Sequence, residues 1–409
     1  MSEQISTQAV SAASDVYFNP WDENFRANPY PHYRPLLAGP PRIINMFQPF
    51  ALIARYADNK AVLLDHAAFS SVQPESMAFA EQADLFGKAP TVLGSDPPVH
   101  TRLRRLVTRE FTPRRIRELE PRIREVAATL LAKAAAKGEF DVMADLANPL
   151  PVTVISDMLG VPAEMLATFK SWSDKVVESD NTVPGTPIAD DIKTAFRELN
   201  AYFAGEIERR RINPGPDLVS GLVAAHDEAE ALNAAELLQF VVLLLLAGNE
   251  TTTNLIGNGM LALGRHRDQL ERLRKNPELM PKAIDEMLRY DGPVQATFRT
   301  ATRDTMVGGT EIKSGTGAFV IVAAANRDPA QFADPERFDI TRDPNDHLAF
   351  GEGIHYCLGA ALARMEGAIA IGAALDRFPR LRLKDPEAPL LYKGSYFLRG
   401  LARLDMAID

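Results

Sequence analysis

A single cysteine in 409 residues excludes an internal disulfide and leaves a local zinc knuckle without its second sulfur. The thiol of Cys357 can then be an inert core group, a nucleophile, or a thiolate ligand to a large cofactor. Long apolar runs are missing as well. The longest, at 240–248, falls far short of the ~20 residues of a membrane span. The start, Met1-Ser2-Glu3-Gln4-Ile5-Ser6-Thr7, has neither the basic region nor the apolar core of a signal peptide. No membrane association is expected, and a chain without disulfides suits a reducing cytoplasm. Positive charge is in deficit, at −9 net, which argues against nucleic acid as a general partner. Internal repeats and low-complexity linkers are absent. Residues 16–409 accordingly read as one domain, behind a small, polar stretch at 1–15 that is expected to be disordered.

What is present is mostly helical. Hydrophobic residues at 46% and charged residues at 24% supply a large core. Helical periodicity covers 99–112, 114–137, 141–159, 163–178, 188–211, 216–228, 233–266, 267–275, 278–291 and 357–376. Strand-like pieces lie at 43–47 and 51–56, at 298–308 and 316–322, and near 395–405, giving a mainly α fold with a minor β portion. Asn233 with Glu236 three residues on marks the start of the longest helix, whose span is about 50 Å.

The cysteine stands in Phe350-Gly351-Glu352-Gly353-Ile354-His355-Tyr356-Cys357-Leu358-Gly359. Two glycines upstream permit a tight turn with positive φ, and Gly359 leaves room for close approach of a flat group. The apolar run that follows reads as a helix starting at the sulfur, and a helix N-terminus lowers a thiol pKa. Mid-way along the longest helix, Ala247-Gly248-Asn249-Glu250-Thr251-Thr252 places an acid and hydroxyls inside an otherwise apolar element. A charge there destabilises unless it is paired or wet.

The decapeptide resembles the haem-binding loop of the cytochrome P-450 family, Phe-Gly-x-Gly-x-His-x-Cys-x-Gly, at all six specified positions. The hexapeptide resembles that family's oxygen-activating motif. The resemblance implies a triangular prism of helices around a buried haem b, with Cys357 as axial ligand of the iron, Phe350 shielding the sulfur, and Ala247 and Gly359 lying close to the macrocycle. By the same resemblance Glu250 and Thr251 conduct protons to dioxygen. His100 and Arg104, one helical turn apart after Asp96-Pro97-Pro98, together with Arg299 and His355, would bind the propionates. Glu286 and Arg289 would join Arg337 of Pro335-Glu336-Arg337-Phe338 in holding the cysteine loop.

The family reading makes this a monooxygenase of the soluble bacterial kind, inserting one oxygen atom of O2 into a hydrophobic small molecule. No flavin or nicotinamide fingerprint occurs, so electrons are expected from a ferredoxin- or flavodoxin-type donor with its reductase. Arg102, Arg105, Arg109, Arg114 and Arg115 are the expected steering charges for that partner. By position, the substrate pocket draws on Met77, Phe79, Leu85 and Phe86, on Leu243, Leu244 and Ala247, on Val294, Ala296 and Thr297, and on Tyr396 and Phe397. A peroxide-driven hydroxylase, a haem sensor and a cofactor-free thiol enzyme are the rival readings.

Overall fold

The computed structural model describes residues 17–45, 48–72, 89–179, 187–224, 232–393 and 397–408. The expectations for 1–15, Met77, Phe79, Leu85, Phe86 and Tyr396 lie outside the described residues.

The longest helix is Ala234–Arg265, and its start is fixed by a reciprocal box. The Glu236 N–H donates to Asn233 Oδ1 at 2.9 Å, and the Asn233 N–H donates to Glu236 Oε2 at 2.9 Å. The two halves of the helix are buried in different cores. Leu237, Phe240, Val241 and Leu245 pack with Phe169, Phe196 and Phe203. Beyond Glu250, Leu255, Ile256 and Met260 pack with Ile123, Met287 and Ile371. Each such buried aliphatic side chain contributes about 1.5–3 kcal/mol. By length and mean hydropathy this helix could cross a membrane, but half of its most apolar window is buried inside the protein, as in a core helix.

Several elements stop where local chemistry stops them. The helix at 99 ends at Thr108, short of the predicted 112, because Thr112 is extended ahead of Pro113 and caps the next helix, Pro113–Lys137. The predicted helix at 141–159 is three pieces: a strand at Phe140–Asp141, a π-helical turn at Met143–Ala147, and an α-helix from Pro149 to Leu159. Asp141 pairs with Asp405 in a sheet, so it cannot begin a helix.

Five short strands form the principal sheet. Arg42–Asn45 is antiparallel to Pro49–Ile53, which lies parallel to Gly317–Val320. Thr297–Ala301 then pairs antiparallel to that strand, and Phe69–Ser70 closes the edge. Phe298 packs on Phe50 and Phe319, with ring centroids 5.9 and 5.7 Å away. Strand alternation therefore turns Thr297 and Arg299 to the other face.

The helix Met280–Asp291 anchors the cysteine loop through a fully buried pair. Arg289 donates to Glu286 through Nε at 2.8 Å and through a terminal nitrogen at 2.9 Å. The third member of the cluster is Arg342, whose Nε donates to Glu286 Oε2 at 3.1 Å. The expectation of Arg337 was wrong. Phe338 occupies the inward position, at 1% exposed, and leaves the Arg337 side chain 61% exposed; only its carbonyl reaches Arg289. Arg289 also donates to the Asn326 carbonyl at 2.9 Å, and the Asn326 side chain accepts from the Leu348 N–H at 2.7 Å. The network thus ends two residues before Phe350.

Candidate active site

The cysteine loop is a tight backbone fold built on two glycines. Gly351 and Gly353 have φ of 72° and 69°, and a Cβ on Gly353 would stand 3.0 Å from the Leu63 carbonyl. The Cys357 N–H donates to the Phe350 carbonyl at 2.9 Å and closes the loop. The Arg364 guanidinium lies 4.5 Å from the Phe350 ring centroid and donates to Asp285 Oδ1 at 2.8 Å. The following helix begins at Ala360, with Gly359 as its cap, so the sulfur precedes the first turn instead of starting it. Burial pushes the Cys357 thiol up, against the opposing pull of the Gly359 N–H and of Arg104 and Arg364. The helix-terminus effect is thus present in the Gly359 N–H, and burial outweighs it.

Four of the predicted cofactor residues converge beside this loop. The rings of His100 and His355 are 4.3 Å apart. His355 Nε2 lies 3.0 Å from Ser71 Oγ, and burial with nearby Arg299 drives its pKa down to about 4. His100 is buried, and its Nε2 has no hydrogen-bond partner among the described residues. Arg299, also buried, donates among the described residues only to the Phe298 carbonyl at 2.6 Å and to Thr297 Oγ1 at 3.3 Å, and burial lowers its pKa to about 10. Arg104 donates to the Tyr356 carbonyl at 2.7 Å. The acid that acts on this group is Asp96, already bonded to the Ser70 hydroxyl and to the Ser71 N–H.

On the long helix, Leu243, Ala247 and Thr251 recur every four residues and retain exposure, whereas Val242, Leu245, Asn249 and Glu250 are buried. Leu244, one step round, packs partly against the core of Phe169 and Phe203. Thr251 Oγ1 donates to the Ala247 carbonyl at 2.7 Å, which leaves the hydroxyl an acceptor toward the exposed face. Glu250 is 2% exposed, and its Oε1 accepts from Lys393 Nζ at 2.9 Å. Of the remaining predicted pocket residues, Val294 bridges Leu398, Ala296 is buried, Thr297 is half-buried, and Phe397 packs toward Phe319 with centroids 6.5 Å apart.

The comparisons with known proteins agree with this geometry. The family model described as Cytochrome P450 matches residues 40–399. The cytochrome P450 monooxygenase PikC of Streptomyces venezuelae is 42% identical over 93% of this chain and 91% of its own. The vitamin D(3) 25-hydroxylase of Pseudonocardia autotrophica is 41% identical over 94% of each chain. The solved structure of the Bacillus subtilis 168 bacillaene polyketide synthase cytochrome P450 PksS superimposes with a TM-score of 0.88, at 36% identity, covering 96% of this chain and 100% of its own. The chain belongs to the cytochrome P450 family, whose members are haem b monooxygenases.

Haem b fits the residues present. Its two propionates match a buried arginine and a buried histidine nitrogen that, among the described residues, bond respectively only neutral oxygens and nothing. Among the described residues a Cβ on Gly359 would meet no atom within 4 Å beyond its chain neighbours, so the backbone beside the sulfur leaves a face open to a flat ring.

Two residues of the buried acid sites escaped sequence reasoning. Lys393 stands 143 positions from its partner, so no local pattern could reveal it. Glu366, an acid on the apolar side of the helix Ala360–Arg377, did carry a legible signal. Burial pushes its carboxyl up to about 8, opposed by a hydrogen bond with Thr252. In the folded protein Glu366 therefore holds its proton at neutral pH, whereas the unfolded chain releases it near 4.5. Between those values the unfolded state binds fewer protons, and stability falls with rising pH by about 1.4 kcal/mol per pH unit. Glu366→Gln is expected to flatten the stability profile of urea unfolding across that window. A variant with the wild-type slope would place the proton elsewhere.

Proposed function

We propose that the protein oxygenates a medium-sized, mostly hydrophobic organic molecule with electrons from a separate ferredoxin- or flavodoxin-type donor and its reductase. In this reading the Cys357 thiolate would hold the haem iron. His100, Arg104, Arg299 and His355 hold the propionates, with Phe350, Ala247 and Gly359 against the ring. Bound haem b supplies the activation of dioxygen, and the chain supplies the rest. Leu243, Leu244, Val294, Ala296, Thr297 and Phe397 orient the substrate and exclude water. Glu250 holds a proton-transferring carboxylate one residue from the Thr251 hydroxyl, which directs protons into the site.

The observation that carries this reading is the buried cationic group beside the thiol loop, whose acid, Asp96, is already bonded to Ser70 and Ser71. A buried Arg299 that, among the described residues, bonds only neutral oxygens is costly, and a dianionic ligand lowers that cost. Apolar lining without a fixed charge favours a hydrophobic substrate, as does the substrate named for the vitamin D(3) 25-hydroxylase relative. Arg299→Met loses a charge-assisted contact worth about 1.5–3 kcal/mol, so haem should transfer to apomyoglobin about tenfold or more faster. Unchanged transfer would remove Arg299 from the propionate set.

The donor surface is narrower than the arginine count implied. Arg102 donates to the buried Glu236 at 3.1 Å and so braces the start of the long helix. Arg114 pairs with Glu118 at 3.0 Å, and Arg115 with Glu110. Arg105, Arg109, Arg114 and Arg115 are all exposed and together carry the steering role.

The test is turnover with a surrogate ferredoxin and ferredoxin reductase under labelled dioxygen. Hydrophobic compounds that shift the spin state should gain one labelled oxygen atom per NADPH. Turnover supported by hydrogen peroxide but never by the electron donor would instead favour a peroxide-driven hydroxylase.

A further inference from the structure

The partner of Glu250 comes from an element that the proton supply does not otherwise involve. Lys393 stands on a C-terminal hairpin, where its N–H donates to the Gly400 carbonyl at 2.8 Å and the Ala402 N–H donates to the Leu391 carbonyl at 2.8 Å. The return arm is laced to the segment that forms the substrate wall. The Gln295 N–H donates to the Phe397 carbonyl at 2.8 Å, and the Arg399 N–H to the Pro293 carbonyl at 2.7 Å. Arg399 pins the base, donating to Asp291 Oδ1 at 2.8 Å with its guanidinium 3.8 Å from the Tyr392 ring centroid.

From this braced hairpin the Lys393 side chain crosses to the long helix. Its ammonium is bonded to a carboxylate that is 2% exposed, while the lysine side chain itself is 26% exposed. The lysine also lines a cavity with Arg26, Tyr33, Gln295, Tyr392 and Arg399. A buried carboxylate deprived of its ammonium must find other solvation or move toward water. A glutamate side chain on a rigid helix has rotatable bonds enough to do so, and proton transfer fails when the acid leaves hydrogen-bond reach.

We infer that Lys393 is a positioning residue for the reaction: it fixes the Glu250 carboxylate on the long helix and makes that placement depend on the hairpin that also carries Phe397. The inference rests on the monooxygenase reading above. Three properties distinguish it from a merely stabilising ion pair. The loss must be transmitted through Glu250, arginine must replace lysine, and the rate must become more sensitive to proton transfer.

The experiment compares the haem-loaded wild type with Lys393→Met, Lys393→Arg, Glu250→Gln and the Lys393→Met/Glu250→Gln double variant. With a surrogate ferredoxin and its reductase, Lys393→Met is expected to consume NADPH about tenfold more slowly, with a larger solvent deuterium isotope effect. Lys393→Arg should recover most of the rate, and Lys393→Met should add no loss in the Glu250→Gln background. Urea unfolding of the same proteins gives a second readout that needs no turnover. The stability losses of the two single variants should fail to add in the double variant.

Additive losses in both measurements, or an unaltered rate in Lys393→Met, would overturn the inference. A wild type lacking the red-shifted carbon monoxide band would sink the monooxygenase reading instead, and the unfolding cycle would still decide whether Lys393 and Glu250 are coupled.

Discussion

Arg289→Met is expected to lower the stability of the haem-loaded protein by about 3–5 kcal/mol, the loss typical when one partner of a buried charge pair is removed. Glu286 and Arg289 are both wholly inaccessible to solvent, so the stranded carboxylate gains no water in exchange. The remaining donors to Glu286 do not compensate. Arg342 Nε stands at 3.1 Å, the Asp339 N–H at 2.8 Å and the Asn345 side chain at 3.2 Å, and all three already bond it in the wild type. The loss also reaches the thiol loop, because Arg289 holds the Asn326 carbonyl while the Asn326 side chain holds Leu348. Weakened haem retention should therefore accompany the stability loss. Arg337→Met is the control: its guanidinium is 61% exposed and lies 3.7 Å from Asp339, a surface contact worth at most about 1 kcal/mol. Urea unfolding measures both. Equal losses from the two variants would contradict the assignment of Arg342 in place of Arg337.

Thr251→Ala should separate electron consumption from product formation. In the wild type the hydroxyl donates to the Ala247 carbonyl, so toward the site it acts as an acceptor that can order an incoming proton donor. Removing one such group from acid–base chemistry typically lowers the rate of the productive step by about 10²–10⁴-fold. NADPH should still be consumed, with the electrons appearing as hydrogen peroxide. Thr251→Ser keeps the oxygen and should retain most of the product yield. Thr251→Val, similar in volume but without the hydroxyl, should behave as alanine does. If the valine variant kept the wild-type product per NADPH, the hydroxyl would have no part in proton delivery.

How much of this was legible in the sequence depended on the range of each interaction. The cysteine loop was readable because its fold is local: Gly351, Gly353, Phe350 and Cys357 act within eight residues, and the backbone bond between Cys357 and Phe350 closes inside that span. His100 and Arg104 were readable for the same reason, sharing a helix face one turn apart. The mid-helix acid and alcohol were visible as polar residues in an apolar run, yet what makes the acid tolerable there was not. Lys393 is brought in by the C-terminal hairpin, and nothing near Glu250 in the chain specifies it. Arg337 was misplaced because motif spacing says which residues are near a site but not which way a side chain turns; the burial of Phe338 settles that choice. Arg102 was misread as a surface charge because its partner, Glu236, follows 134 residues later. Glu366 could have been found by asking why an acid occupies the buried side of an apolar helix.

The most direct test of the central claim is the absorption spectrum of the purified protein, reduced with dithionite and exposed to carbon monoxide, beside that of Cys357→Ser. Thiolate ligation through Cys357 predicts a Soret band shifted strongly to the red in the wild type and absent from the serine variant. A wild-type band at the ordinary position of histidine-ligated haem, or a red-shifted band that survives the substitution, would contradict the assignment of Cys357 as the ligand.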